Sequence, residues 1–313
     1  MTVTTQRFCS LLSLASLILL SQAMFVVGAN AQTRPLKGGA EGFAQEQQVR
    51  PAGSIRNWRD VDGNALPFAS DDELLDYLRT ADVVAEKNLS TGITHPIKLT
   101  LSKNGVSAHA VFRYVNEEKP SADFGHGDVE RHFRDSYLFE PAAYELSRLI
   151  GLESVPPATV RSIRGREGSV QIWVEKSQTE TMRTKNKLLP PDESNWSKQA
   201  HNMRVFDALI YNTDRTQDNI LIASDWKVWL IDHTRAFRTR TTLLNEQAIT
   251  NCERRIYEQL KTIDSAAARE RLKPYLRQSE ITAVLKRRDV IVKRLDKLIA
   301  KRGGNAVLFT LQQ

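Results

Sequence analysis

The chain has 313 residues, 41% of them hydrophobic and 26% charged, and a formal net charge of +7. That apolar share can bury a sizeable core in one large domain or two packed lobes, and it excludes a disordered or wholly membrane-embedded chain. The basic excess suits a phosphate-rich ligand, an anionic membrane surface or nucleic acid, but no nucleic-acid-binding module is recognisable and nucleic acid is not predicted as a partner.

Residues 1–31 read as an export signal. Arg7 supplies the positive start, LLSLASLILL the apolar heart, and Ala29-Asn30-Ala31 a cleavage site. Cleavage at about Ala31 predicts an extracytoplasmic protein, periplasmic or secreted; an uncleaved segment predicts a membrane anchor. Cys252 is then the one cysteine left, so the core must hold the fold without an internal disulfide. Residues 32–66, rich in turn signals and polar side chains, read as a flexible segment.

Ser70-Asp71-Asp72-Glu73 caps a short helix with Leu74, Leu75 and Leu78 on its apolar face. Strands are expected at 81–85, 97–101 and 108–113, the last two joined by an Asn104-Gly105 hairpin turn. Residues 121–134 are polar and loop-like. A helix over 141–150 has Pro141 in its first turn and Gly151 past its end. Two more strands, 159–163 and 169–175, flank the turn at 165–168. Residues 177–198 are basic and Pro-containing and read as a loop or insertion. A helix from 199 to 212 leads to two short buried strands, 219–223 and 228–232, and a helical tail ends in an amphipathic segment over 279–301. The order gives an α+β fold in two lobes: a small antiparallel β-rich lobe with one helix, 67–176, and a larger helical lobe, 177–313.

The chemistry concentrates in residues 205–237, VFDALIYNTDRTQDNILIASDWKVWLIDHTRAF. Asp214 and Asn219 stand five positions apart, and Asp232 closes the second buried strand. Asp232 and Asn219 offer the hard oxygen ligands that Mg²⁺ prefers, and Asp214 is suited to accept a hydroxyl proton. Arg215, next to that carboxylate, is expected to pair with a carboxylate or a phosphate. His126 and His132 flank a polar loop at a spacing that suits no metal pair. Lys286, Arg287, Lys293, Arg294 and Lys297 read as a solvated helix face, one that would also suit an anionic partner or a peripheral membrane contact.

The Asp214-Arg215-x-x-x-Asn219 and hydrophobic-Asp232 pattern resembles that of the atypical kinases. It is similar to the phosphatidylinositol kinases, to the secretory-pathway protein kinases of the Golgi casein kinase type, and to bacterial spore-coat kinases. A second block, EPAAYELSRLIG over 140–151 followed by Val155-Pro156-Pro157, resembles the helix that carries an ion-pairing Glu in the secretory kinases. The resemblance implies a two-lobe protein-kinase-like fold and an exported, bacterial-like phosphotransferase using ATP with Mg²⁺ (or Mn²⁺). It makes Asp214 the catalytic base, Asn219 and Asp232 the metal ligands, and Glu140 the ion-pairing acid, with Glu145 as the fallback. Residues 90–94 (STGIT) would cover the phosphates. Arg113 stands where the phosphate-binding Lys is expected, and Lys98 on the preceding strand is the alternative. Trp173-Val174-Glu175 falls at the hinge, which places Glu175 among the nucleotide-binding residues. Three functions follow: a kinase for a protein, lipid or sugar hydroxyl; a catalytically weak or inactive module that binds a nucleotide or a partner; or transfer of AMP in place of phosphate. The acceptor and the oligomeric state are not readable from these residues.

Overall fold

The computed structural model describes residues 58–89, 95–123 and 129–311. The export signal, the 90–94 turn and His126 lie outside the described residues.

The first part of the described chain runs α1 (Asp71–Thr80), β1 (Asp82–Asn88), β2 (Ile97–Lys103), β3 (Val106–Arg113), β4 (Asn116–Asp123), β5 (Val129–Ser136), α2 (Phe139–Leu149), β6 (Ala158–Ile163) and β7 (Arg166–Ile172). Five of its strands form one antiparallel sheet in the order β1-β2-β3-β7-β6. Asn104 and Gly105 both have positive φ, +52° and +77°, as the tight turn between β2 and β3 requires. The alternation read in the sequence is real: Leu99, Leu101, Ala108 and Ala110 are all buried. Ser70 Oγ caps α1 by accepting from the Glu73 amide at 3.2 Å. Tyr77 then docks the helix on the sheet, its hydroxyl donating to the carbonyls of Leu101 and Val106. Helix α2 is buried from Phe139 to Ser147 and ends where Gly151 turns with φ +71°.

The second part contains β8 (Ser177–Thr179), α3 (Glu180–Lys185), α4 (Glu193–Ile210), β9 (Ile220–Ala223), β10 (Val228–Leu230), β11 (Cys252–Glu253), α5 (Arg254–Thr262), α6 (Ser265–Leu272), α7 (Gln278–Arg302), α8 (Gly304–Val307) and β12 (Leu308–Phe309). A small antiparallel sheet, β10-β9-β8, carries the run that holds Asn219 and Asp232. The 25-residue α7 buries Ile281, Val284, Leu285, Ile291 and Leu295 against α4, α5 and α6. Cys252 is buried, and burial pushes its thiol pKa well up, so it is an inert core group. Among the described residues no helix is long and apolar enough to cross a membrane.

Four sequence expectations need correction. Residues 58–66 are not a flexible segment: Trp58 is buried with its ring centroid 4.7 Å from that of Trp229, and Leu66 N–H bonds the Trp58 carbonyl. Residues 121–123 and 129–134 are not loop but strand, part of the antiparallel ribbon β4–β5. Its β4 positions from Asn116 to Ser121 are all exposed, so no face had an apolar alternation to read. Residues 177–198 hold β8, α3 and the start of α4, with Thr179 and Asp192 as caps that a reading of the basic charge passed over. Arg287 is not on a solvated face: it is fully buried and donates to the carbonyls of Leu209, Arg238 and Arg240.

Candidate active site

Between sheet and helices lies a cleft of about 870 Å³. Leu89, Val111, Val174, Leu221 and Ile231 give it apolar walls; Asp214, Asn219, Asp232, Arg113 and Arg235 line it with charged and polar groups. That mixture, apolar walls with a few convergent polar groups, is what a small-molecule site needs.

Arg113 ends β3 and is buried. Its Nε lies 3.8 Å from Glu140 Oε1 and 3.8 Å from Asp232 Oδ1, so one guanidinium serves two carboxylates. Glu140, fully buried at the start of α2, accepts from the His233 backbone amide at 2.8 Å, from His233 Nδ1 at 3.1 Å and from Gln171 Nε2 at 3.3 Å. Burial alone would raise its pKa. The Arg113 charge and the His233 contacts outweigh that and hold it down at about 2. Glu145 is engaged elsewhere, by Arg271 of α6, which leaves Glu140 as the acid that meets Arg113. Lys98 is set apart from this cluster: its Nζ stacks over the Trp173 ring, 4.4 Å from the centroid, and it is not among the described residues lining the cleft. Glu175 does line the cleft and is held at 2.6 Å by His109 Nδ1.

The loop after α4 is fixed by its own polar groups. Asn219 Nδ2 donates to the Asp214 carbonyl at 2.9 Å, which leaves the amide oxygen as the group a cation can use. Arg215 takes the carboxylate alternative of its two expected partners. It donates to Asp207 of α4 at 3.0 and 3.1 Å, and its Nη1 bridges the carbonyls of Asn219 and Ile231. It therefore latches the loop to β10 and does not face the cleft as a phosphate ligand would. Asp232 sits at φ +56°, a left-handed conformation that Asp tolerates better than most residues. Thr234 Oγ1 bonds its Oδ1 at 3.3 Å.

Several residues of this site carried no sequence signal. His233 ties α2 to the segment that follows β10. Arg235 donates from Nε to Asp135 Oδ2 at 2.8 Å and from Nη1 to Asp214 Oδ2 at 3.4 Å. Asp214 has its pKa raised, first by partial burial, with Arg235 opposing and the neighbouring carboxylates of Asp232 and Asp135 adding to the rise. The three-residue step from Asp232 to Arg235 was visible, but Asp135 falls in the stretch read as a loop, so the pair was not.

Two oxygen donors, one carboxylate and one amide, fit a hard divalent cation that takes its remaining ligands from phosphate and water. Among the described residues no group of three or more His, Cys, Asp or Glu forms a cage that would hold a metal alone.

No protein-family model matches the sequence, and no curated protein does. Solved structures do match by shape. The structure of hydra Fam20 with sugar superposes with a TM-score of 0.60 at 14% identity, covering 84% of this chain and 98% of that one. The Golgi casein kinase with Mn/ADP bound superposes with a TM-score of 0.54 at 18% identity, covering 76% of this chain and 78% of the other. The cleft, the buried Arg–Glu pair behind it and these superpositions agree: the chain has a two-lobe, atypical-kinase-like fold.

Proposed function

We propose that this protein is an exported phosphotransferase that moves a phosphoryl group from ATP, bound with Mg²⁺ or Mn²⁺, to a hydroxyl of its acceptor. The observation that carries the reading is Arg113, buried between Glu140 and Asp232 at 3.8 Å from each, at the back of a cleft that Asp214 and Asn219 also line. Arg113, oriented by Glu140, binds donor phosphate oxygens through its planar fork of N–H groups. Asp232 and Asn219 would hold the cation, which would supply charge neutralisation at the donor phosphates. Adenine packs between the apolar walls, beside the hinge at 173–175. Asp214 orients the acceptor hydroxyl and takes its proton as the new O–P bond forms. The bridging oxygen leaves with the nucleoside diphosphate. The smaller lobe is assigned to residues 67–176 and the larger to 177–313. Export rests on the residues 1–31 signal pattern.

A second reading, a nucleotide-binding module with little turnover, is favoured by Arg113 itself, since a guanidinium is bulkier than the lysine expected there. Thermal-shift titration with Mg²⁺ and nucleotides, followed by phosphate incorporation assays, separates the two. The kinase reading predicts a shift with Mg-ATP, lost in Asp232→Ala. It also predicts transfer that collapses in Asp214→Ala while nucleotide binding persists. No shift with any nucleotide refutes both readings; binding without transfer leaves the second. Incorporation of labelled AMP in place of phosphate would point to the third function.

A further inference from the structure

We infer that Arg235, held in place by Asp135, is the positioning residue for Asp214; this rests on the phosphotransferase reading above. Asp214 sits on a loop with its side chain partly exposed, and unaided such a carboxylate samples orientations that do not meet an acceptor hydroxyl. Arg235 removes that freedom by donating from Nη1 to Asp214 Oδ2, which leaves Oδ1 to face the acceptor. A guanidinium is planar and rigid, so fixing Nε fixes the direction of Nη1. Nε is fixed by Asp135 Oδ2 at 2.8 Å.

Asp135 is itself held firmly. It is 4% exposed, and its other oxygen has no hydrogen-bond partner among the described residues. A buried carboxylate in that condition is tolerated only against a cation, and Arg235 is that cation. On either side of Asp135 the β5 strand is pinned to the larger lobe. Arg134 donates to both oxygens of Glu280 on α7 at 3.0 and 3.1 Å, and Ser136 N–H bonds the Thr234 carbonyl at 2.9 Å. The ribbon β4–β5 therefore supplies a fixed anchor, Asp135, that reaches the base through a single arginine. Arg235 also offsets the repulsion among the carboxylates of Asp135, Asp214 and Asp232.

The test uses the whole protein with Mg-ATP and water as the acceptor, so that no unidentified substrate is needed. Arg235→Gln is expected to lower kcat about 100-fold while KM for Mg-ATP stays within about threefold, the split that separates a positioning loss from a binding loss. Millimolar guanidinium is expected to restore part of the rate of Arg235→Gly. Asp135→Asn is expected to lower kcat in the same direction by a smaller factor, and Asp135→Asn combined with Arg235→Gln to be no slower than Arg235→Gln alone, because the two act as one unit. Asp135→Asn retains Arg235 and most of the local packing, so it keeps the test open if Arg235→Gln does not fold. Unchanged kcat in the variants of an active protein, independent additive losses, or an equal loss of nucleotide binding overturns this inference alone. A wild-type protein that binds no Mg-ATP overturns the phosphotransferase reading and this inference with it.

Discussion

Replacing Arg113 by Met keeps most of the side-chain volume and removes the charge, and the outcome can be worked from the geometry. Each carboxylate contact at 3.8 Å is worth roughly 4 kcal/mol at an effective dielectric of about 20. Against that, Arg113 Nε and Nη1 have no hydrogen-bond partner among the described residues, and each buried donor left unmade costs about 1–3 kcal/mol. The two effects oppose: about 8 kcal/mol of attraction against about 2–6 kcal/mol of unmade donors leaves the resting protein to lose about 2–6 kcal/mol. Nucleotide affinity should suffer as well. Those unpartnered donors are what a phosphate would engage, and losing a two-pronged contact worth about 3 kcal/mol weakens Kd about 100-fold. Acid stability gives a second readout. Glu140 has its pKa lowered from 4.5 to about 2, so it contributes stability that is full above its unfolded value and lost as pH falls through the folded one. That contribution is roughly 3 kcal/mol at neutral pH. Without Arg113 the Glu140 pKa rises, the contribution shrinks, and the loss of stability between pH 4.5 and pH 2 becomes shallower. Urea denaturation across that range and calorimetric titration with Mg-ATP measure both. Undiminished nucleotide affinity in the variant, or an acid transition as steep as wild type, would refute the reasoning.

Three further outcomes are expected. A Cβ at Gly168 would lie 2.3 Å from the Phe112 ring and 2.4 Å from the Arg113 carbonyl, so Gly168→Ala should cost about 1–3 kcal/mol in denaturation and displace the strand end that carries Arg113, weakening Mg-ATP binding as well. Trp58→Ala should cost about 3 kcal/mol by removing the ring that packs on Trp229; an unchanged melting temperature would return residues 58–66 to the status of a loose segment. Asp207→Ala should cost about 1–3 kcal/mol by stranding the half of Arg215 that it holds, and should lower kcat with little change in KM, since the loop carrying Asp214 loses its latch to α4; equal kcat would show the latch to be dispensable.

What was legible in the sequence was what one chain segment encodes by itself. The β2–β3 hairpin announced itself through alternation and Asn104-Gly105, and α2 through Pro141 and Gly151, because periodicity, turns and caps are local. The spacing of Asp214, Asn219 and Asp232 was legible for the same reason. The β4–β5 ribbon was not, since its exposed β4 residues bury no face. Its role depends on ion pairs to residues more than a hundred positions away, such as Arg134 with Glu280 and Arg277 with Glu118. Arg287 misled for the opposite reason: in a basic helix it looks like its neighbours, and only the carbonyls of three distant residues explain why it is buried. Between Arg113 and Lys98 the sequence offered two cations on adjacent strands, and the contact with the α2 acid was not legible: Arg113 ends β3 opposite Ser169 and meets Glu140, while Lys98 pairs with Val111 and its Nζ lies over Trp173.

Arginine pairing explains how three acids can lie close together at this site. Asp214, Asp232 and Asp135 would repel one another and any polyphosphate that entered. Two arginines match the three: Arg113 from the sheet at Asp232, and Arg235 between Asp135 and Asp214. This matching also accounts for the left-handed backbone at Asp232, a conformation that costs about 1–3 kcal/mol and persists only where its surroundings over-determine it. They do so here. Ile231 N–H bonds the Asn219 carbonyl before Asp232, His233 N–H bonds Glu140 after it, and Thr234 Oγ1 holds its side chain. Three tethers within four residues turn a strained position into a fixed one. Fixing it places one carboxylate oxygen beside Arg113, in the cleft that Asn219 also lines. Under the proposed function Arg113, and a cation held by Asp232 and Asn219, would meet the same donor phosphates. In that arrangement a guanidinium fork can take over the part a compact ammonium plays elsewhere, provided that Glu140 keeps it aimed.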